Sequence, residues 1–181
     1  MVNSIETGAR EEVFRAVRIC APCLDRLGEL TFSGATAEME TWREAILTRH
    51  LFPAVLKAFE AAREGGAREL GAVDALLEAG LAGPPARRSR EAGRMLLLEF
   101  KAPAGERVLE RYARAVAGST VACHFATVFA ARAAAFHISP ATTMAALIFL
   151  EMRSLPVAGV WPAVNAALSG LPASTALLRA A

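Results

Sequence analysis

The sequence predicts an all-α fold: one compact bundle of about eight to ten helices, with a low-charge helical pair at its centre. Three observations lead there. Ala accounts for 40 of the 181 residues, and Ala is the best helix former and is depleted from strands. Apolar residues recur at helical spacing along the chain, and no segment alternates convincingly with period two. Gly, Pro and hydroxyl residues fall at short intervals where helices start and stop. A hydrophobic content of 54% with a net charge of +2 excludes a disordered chain. The length suits a single domain over 1–181 that buries its core without disulfide or metal staples.

The elements follow in order. A first helix from about Thr7 carries Val13, Phe14 and Val17, is interrupted or restarted at Pro22, and continues through Leu24 and Leu27 to Gly28. Phe32-Ser33-Gly34 is a break. Thr36 is a candidate N-cap, with Glu38 and Glu40 in the first turn and Met39, Trp42, Ile46 and Leu47 behind them. Pro53 suits the first position of a further helix with Leu56 and Phe59, ended by Gly65-Gly66. Leu70, Val73, Leu76 and Leu77 form a short helix ending at Gly80. Gly83-Pro84-Pro85 reads as a loop, followed by an Arg-rich helix start at 87–90 leading into Met95 to Leu98. Ala102-Pro103-Ala104-Gly105 is a turn. Val108, Leu109, Tyr112 and Val116 mark the next helix, ended near Gly118. Ser119 or Thr120 can cap a helix bearing Val121, Phe125, Val128, Phe129 and Phe136. Ser139-Pro140, a cap hydroxyl followed by Pro, starts a helix with Met144, Leu147, Ile148 and Met152. One or two short helices, broken at Pro156, Pro162 and Pro172, complete the chain.

Charge is distributed unevenly. Residues 1–114 hold 34 charged side chains, 17 of each sign, whereas residues 115–181 hold only Arg132, Glu151, Arg153 and Arg179. That last third must leave water, into a helical core, a protein partner or a bilayer. The uncharged stretches 133–150 and 154–178 are long enough to span a membrane. However, His137, Pro140, Pro156, Pro162 and Asn165 interrupt them, and no Lys/Arg asymmetry flanks them. A core position is expected instead, and no membrane span. The polar, mixed-charge start lacks a signal-peptide pattern, so the expected compartment is the cytoplasm, with reduced thiols.

Candidate chemistry is sparse. Cys20-Ala-Pro-Cys23 is a C-x-x-C without a preceding strand or a second such pair, unlike a redox site or a structural zinc centre. Cys123 and His124 are adjacent and point about 100° apart on a helix. Convergence of Cys20, Cys23 and His124 on a metal is not required by their spacing. His50 and His137 are isolated. Arg87, Arg88, Arg90 and Arg94 form a basic cluster without the aromatic interleaving or helix-turn-helix of a nucleic-acid binder. Ser89 and Gly93 share one helix face, and a mid-helix Gly, which costs about 1 kcal/mol relative to Ala, is explained by a second backbone passing close to it. No phosphate loop, nucleophile elbow or paired-carboxylate motif is present.

Three stretches resemble the urease accessory protein F (UreF) family. Val73-Asp74-Ala75-Leu76-Leu77-Glu78-Ala79 is similar to the family's short Leu-Asp-type helix. Arg88-Ser89-Arg90-Glu91-Ala92-Gly93-Arg94-Met95-Leu96-Leu97 resembles its Ser-x-x-x-Gly-Arg-x-Leu-Leu helix. His124-Phe125-Ala126-Thr127-Val128-Phe129-Ala130, with the run from Ala135 to Ser139, resembles its His-Phe/Tyr-Pro-x-Val-Phe-Gly helix and the Ala-rich run to Gly-Ile. Ala126 replaces the usual Pro, and Ala130 and His137 replace usual Gly residues, as in a shortened or divergent member.

The resemblance implies a non-enzymatic, all-α scaffold in urease maturation. Such a protein bridges a UreD/UreH-type accessory protein and a UreG-type GTPase, acts on apo-urease, and typically forms a homodimer. It binds no cofactor stably, the nickel being handled by its partners. The expected partner-binding residues are Arg88, Ser89, Gly93, Arg94, His124 and Phe125. The alternative is a small-molecule-binding helical domain of a regulator, with Phe125, Phe129, Phe136, Met144 and Met152 lining an apolar pocket, or another all-α interaction protein.

Overall fold

The computed structural model describes residues 7–34, 38–99, 107–118 and 120–172, and those residues form helices and connecting loops with no strand. Helix α1 (Thr7–Cys20) ends before Pro22, and beyond the proline only one 3-10 turn, Leu24–Arg26, forms. Helix α2 (Met39–Trp42) runs through a π-helical segment, Arg43–Leu51, directly into α3 (Phe52–Arg63). Pro53 stands in the first turn of α3, as the sequence expects, although that helix continues the π-helical segment without a gap. Its ring would crowd the Arg49 carbonyl in an α-helix, and the wider winding, with Phe52 N–H bonded to Leu47 O, relieves that clash.

Helix α4 (Ala67–Gly80) ends at its glycine as expected. The Gly83-Pro84-Pro85 stretch, expected as a loop, is the first turn of α5 (Gly83–Leu98). Gly83 takes the left-handed conformation at φ +61°, and the prolines occupy positions whose N–H groups have no helical partner anyway. Helix α6 (Arg107–Ala117) follows, its end closed by the Thr120 hydroxyl donating to Ala115 O. Helix α7 (Phe125–Ala135) begins later than expected, so Val121 lies in the preceding loop and Phe136 just past the helix end. The Thr36 cap, the Ala102–Gly105 turn and Ser119 lie outside the described residues.

Helix α7 closes with Ile138 N–H on Ala133 O and His137 N–H on Ala134 O, His137 holding the left-handed position at φ +55°. That geometry explains the glycine expected here in the resembling motif. Helix α8 (Pro140–Met152) has the expected cap: Thr142 N–H donates to the Ser139 hydroxyl at 3.1 Å. Helix α9 (Val157–Ser169) runs through Pro162 rather than breaking there. The carbonyl left without a helical donor belongs to exposed Ala158, where water can take the bond.

All eleven residues of α7 are buried, as are nine of the thirteen in α8. Helix α7 takes the centre, packed chiefly on α3 and α5, while α8 joins it to α1 and α9. Such helices are apolar all round because every face meets protein. The three described charges of the final third pin the N-terminal segment to this core. Arg132 donates to Ile19 O at the end of α1 at 3.0 Å. Glu151, 3% exposed, accepts from Thr31 N–H at 2.9 Å and Phe32 N–H at 3.0 Å. Arg153 donates to the carbonyls of Leu27 and Gly28. Each satisfies backbone groups that no helix or strand pairs.

Candidate functional site

The three resembling stretches converge on one point, the amino end of α7. Asp74 and Glu78 sit at i, i+4 on one face of α4, and Ser89 and Gly93 at i, i+4 on one face of α5. Between them the chain turns through Cys123, at φ +67°, into α7. His124 is the α7 N-cap, yet its side chain caps nothing. The cap comes from elsewhere. The buried Asp74 carboxylate accepts from Cys123 N–H and His124 N–H, both at 2.9 Å, and from the Tyr112 hydroxyl at 2.5 Å. The Ser89 hydroxyl accepts from Phe125 N–H at 3.3 Å. A carboxylate here also meets the positive end of the α7 dipole.

The His124 ring, fully buried, links the two helices. Its Nδ1 lies 3.2 Å from Ser89 Oγ and its Nε2 2.9 Å from Glu78 Oε2. Arg90 closes the chain on Glu78 at 2.6 and 2.9 Å. Because Ser89 Oγ accepts from Phe125 N–H, its own proton is available to Nδ1, which leaves the ring proton on Nε2 facing Glu78. Burial opposes ionisation of Glu78, but the bonds from Arg90 and His124 prevail and hold its carboxyl below the ordinary range. Burial pushes the His124 imidazole down, against the attraction of Asp74 and Glu78.

The unfolded chain therefore binds a proton below about pH 6.5 that the folded chain refuses. Stability is expected to rise with pH through that region and to be lost as pH falls below it. Urea midpoints measured from pH 8 to 5.5 check this: His124→Gln is expected to flatten the wild-type slope, and an unchanged slope contradicts it.

Serine, histidine and glutamate in sequence have the side-chain types of a nucleophile, base and acid. Ser89 is only 1% exposed, however, and its hydroxyl is committed to capping α7, so no substrate atom reaches it. The arrangement locks α4 and α5 onto α7. Gly93 makes this contact possible: a Cβ there would lie 2.2 Å from Cys123 O and 2.7 Å from the His124 carbonyl carbon.

The structure thus brings together Ser89, Gly93, His124 and Phe125, all buried. Arg88 stands apart, half-buried, donating to Leu30 O at 3.1 Å with Glu29 3.6 Å away. Arg94 is exposed. Sequence reasoning missed Asp74 and Glu78. Their i, i+4 spacing inside the first resembling stretch was the available signal.

The three cysteines are buried and free. Burial pushes the Cys20 and Cys123 thiols up to about 12 and raises Cys23 as well. Among the described residues, no group of three or more His, Cys, Asp or Glu side chains is placed to hold a metal ion. Phe125 and Phe129 stack at 5.5 Å and, with Met144 and Met152, fill the core. Of the expected pocket set, Phe136 borders a surface cleft, beside Glu12, Arg15 and Thr142. No described helix is long and apolar enough to cross a membrane.

The fold and site define an all-helical protein whose buried polar cluster holds helices together. The UreF family matches residues 35–160, a span that contains the whole cluster, and the chain belongs to that family of urease accessory proteins, which is not a family of enzymes. No curated protein and no solved structure matches the chain.

Proposed function

We propose that this chain is a scaffold in urease maturation that bridges a UreD/UreH-type accessory protein and a UreG-type GTPase on apo-urease during nickel insertion. It works as a cytoplasmic homodimer, and the nickel is its partners' cargo. The observation that carries this reading is the outer face of α9. The helix has no charged residue over its 13 positions, yet Pro156, Val157, Ala158, Pro162 and Ala166 are exposed, Val157 to 90%. Beside it, Phe14 packs edge-on against Phe149 at 5.2 Å and Trp161 at 5.5 Å, and the Arg10 guanidinium lies 5.2 Å over the Trp161 ring. Aromatic residues and Arg with few other charges are the composition of protein interfaces. In this reading Arg88 and Arg94 lie where a partner can touch them. Ser89, Gly93, His124 and Phe125 act from inside, by fixing the helices that carry the surface.

Co-expression with a UreD/UreH-type protein tests the reading. The wild-type chain is expected to co-purify with it. Val157→Glu combined with Ala166→Glu is expected to abolish capture while leaving the thermal transition unchanged, since both side chains face water. Failure of the wild-type chain to co-purify, or equal capture by the variant, contradicts it.

A further inference from the structure

Several surface arginines of this protein meet a carboxylate: Arg26 pairs with Glu99, Arg43 with Glu40, Arg88 with Glu29 and Arg90 with Glu78. Arg63, Arg107 and Arg111 do not, among the described residues. They converge instead, from the end of α3 and the start of α6, on one cleft of about 370 Å³ that His137 also borders. Among the described residues, no acidic side chain and no aromatic ring apart from that imidazole lines it. The rest of its described lining is small: Ala62, Gly65, Val108, Ala134 and Ala135. Arg111 is already positioned: its Nε donates to Arg107 O at 3.4 Å and one terminal nitrogen to Gly65 O at 3.0 Å. These bonds fix the guanidinium plane and leave its other terminal nitrogen for a ligand, so less freedom is lost on binding.

We propose that this cleft binds a polyvalent phosphate group, as inorganic pyrophosphate or as the phosphate tail of a nucleotide. Three uncompensated guanidinium groups supply planar donors matched to phosphate oxygens. The carboxyl ends of α3 and α7 also border the cleft and bring partial negative charge. The attraction to the three guanidinium groups scales with the charge of the ligand, so a group carrying two or more charges gains more than a single carboxylate. The small lining residues offer no side-chain pockets to a peptide and no stacking surface to a base. The phosphate is therefore the recognised part.

Calorimetric titration of the full chain at low salt, with pyrophosphate and separately with ATP, tests this. One saturable site per chain is expected, with the two ligands binding within about threefold of each other because the base is not read. Arg63→Glu with Arg107→Glu is expected to weaken both by at least about tenfold, while Arg114→Glu, on α6 but outside the cleft, leaves them unchanged. Arg63→Gln removes one charge without reversing it, and a smaller loss in the same direction is expected. ATP binding far more tightly than pyrophosphate would mean that the base is read and overturns recognition through the phosphate alone. Absence of saturable binding by either ligand overturns the proposal. So does equal weakening by Arg114→Glu, or binding of a hexaglutamate peptide where pyrophosphate fails.

Discussion

Gly93→Leu is expected to abolish the cooperative unfolding transition of this protein. A glycine in the middle of α5 costs about 1 kcal/mol in helix propensity relative to alanine, so on local grounds alanine or leucine there stabilises. The packing reverses that sign. The nearest atoms to an added Cβ are backbone: Cys123 O at 2.2 Å, the His124 carbonyl carbon at 2.7 Å and Phe125 N at 2.8 Å. Backbone does not step aside as a flexible side chain does. These three residues are also held by Asp74 and Ser89, so moving them breaks the α7 cap. Overpacking a core costs about 1–3 kcal/mol when side chains can shift. Gly93→Ala is therefore expected to destabilise by about 2 kcal/mol net despite its gain in propensity. The bulkier leucine is expected to exceed the roughly 5–15 kcal/mol margin's lower end. Urea denaturation followed by far-ultraviolet dichroism measures both, and an alanine variant more stable than wild type rules out the close approach.

Asp74→Ala carries the second large effect. One carboxylate, 1% exposed, serves two backbone N–H groups and the Tyr112 hydroxyl. Burial, and next the charge of Asp74, hold the Tyr112 phenol far above its usual titration range, so it stays a donor. Removing the carboxylate leaves all three donors buried and unmet, which costs about 3–5 kcal/mol, as for one partner of a buried pair. Asp74→Asn keeps one acceptor oxygen and is expected to recover part of that loss. Glu78→Gln, on the same face but half-exposed, is expected to cost under about 1 kcal/mol. Equal losses at positions 74 and 78 in urea titrations contradict the capping role.

Much of the fold was legible in the sequence, for definite reasons. The near absence of charge after residue 114 marked α7 and α8 as core, because a helix apolar on all faces is best satisfied by burial. Ser139-Pro140 announced the α8 start, since a cap hydroxyl and a proline act locally. The mid-helix Gly93 indicated a close backbone, though not which one.

The misreadings have physical causes too. The sequence places Pro84 and Pro85 in a loop and Pro162 at a helix break. In each place the helix absorbs the proline instead, by use of the first turn or by exposure to water. The cluster around Asp74 was half legible. The three stretches that meet there are separated along the chain, and spacing within one helix cannot show which other helix it faces. The same holds for Arg132, Glu151 and Arg153, whose partners lie more than a hundred residues away in sequence.

The site, the pinned N-terminal segment and the exposed face of α9 all depend on α7 being the enclosed centre of the bundle. Native-state hydrogen exchange of the backbone amides of residues 128–135 tests this most directly. If the account is right, these amides exchange only through global unfolding, with the slowest rates in the chain and a shared free energy equal to that from urea denaturation. Exchange through local opening, faster than in α1 or α9, would place α7 at a mobile edge and contradict it.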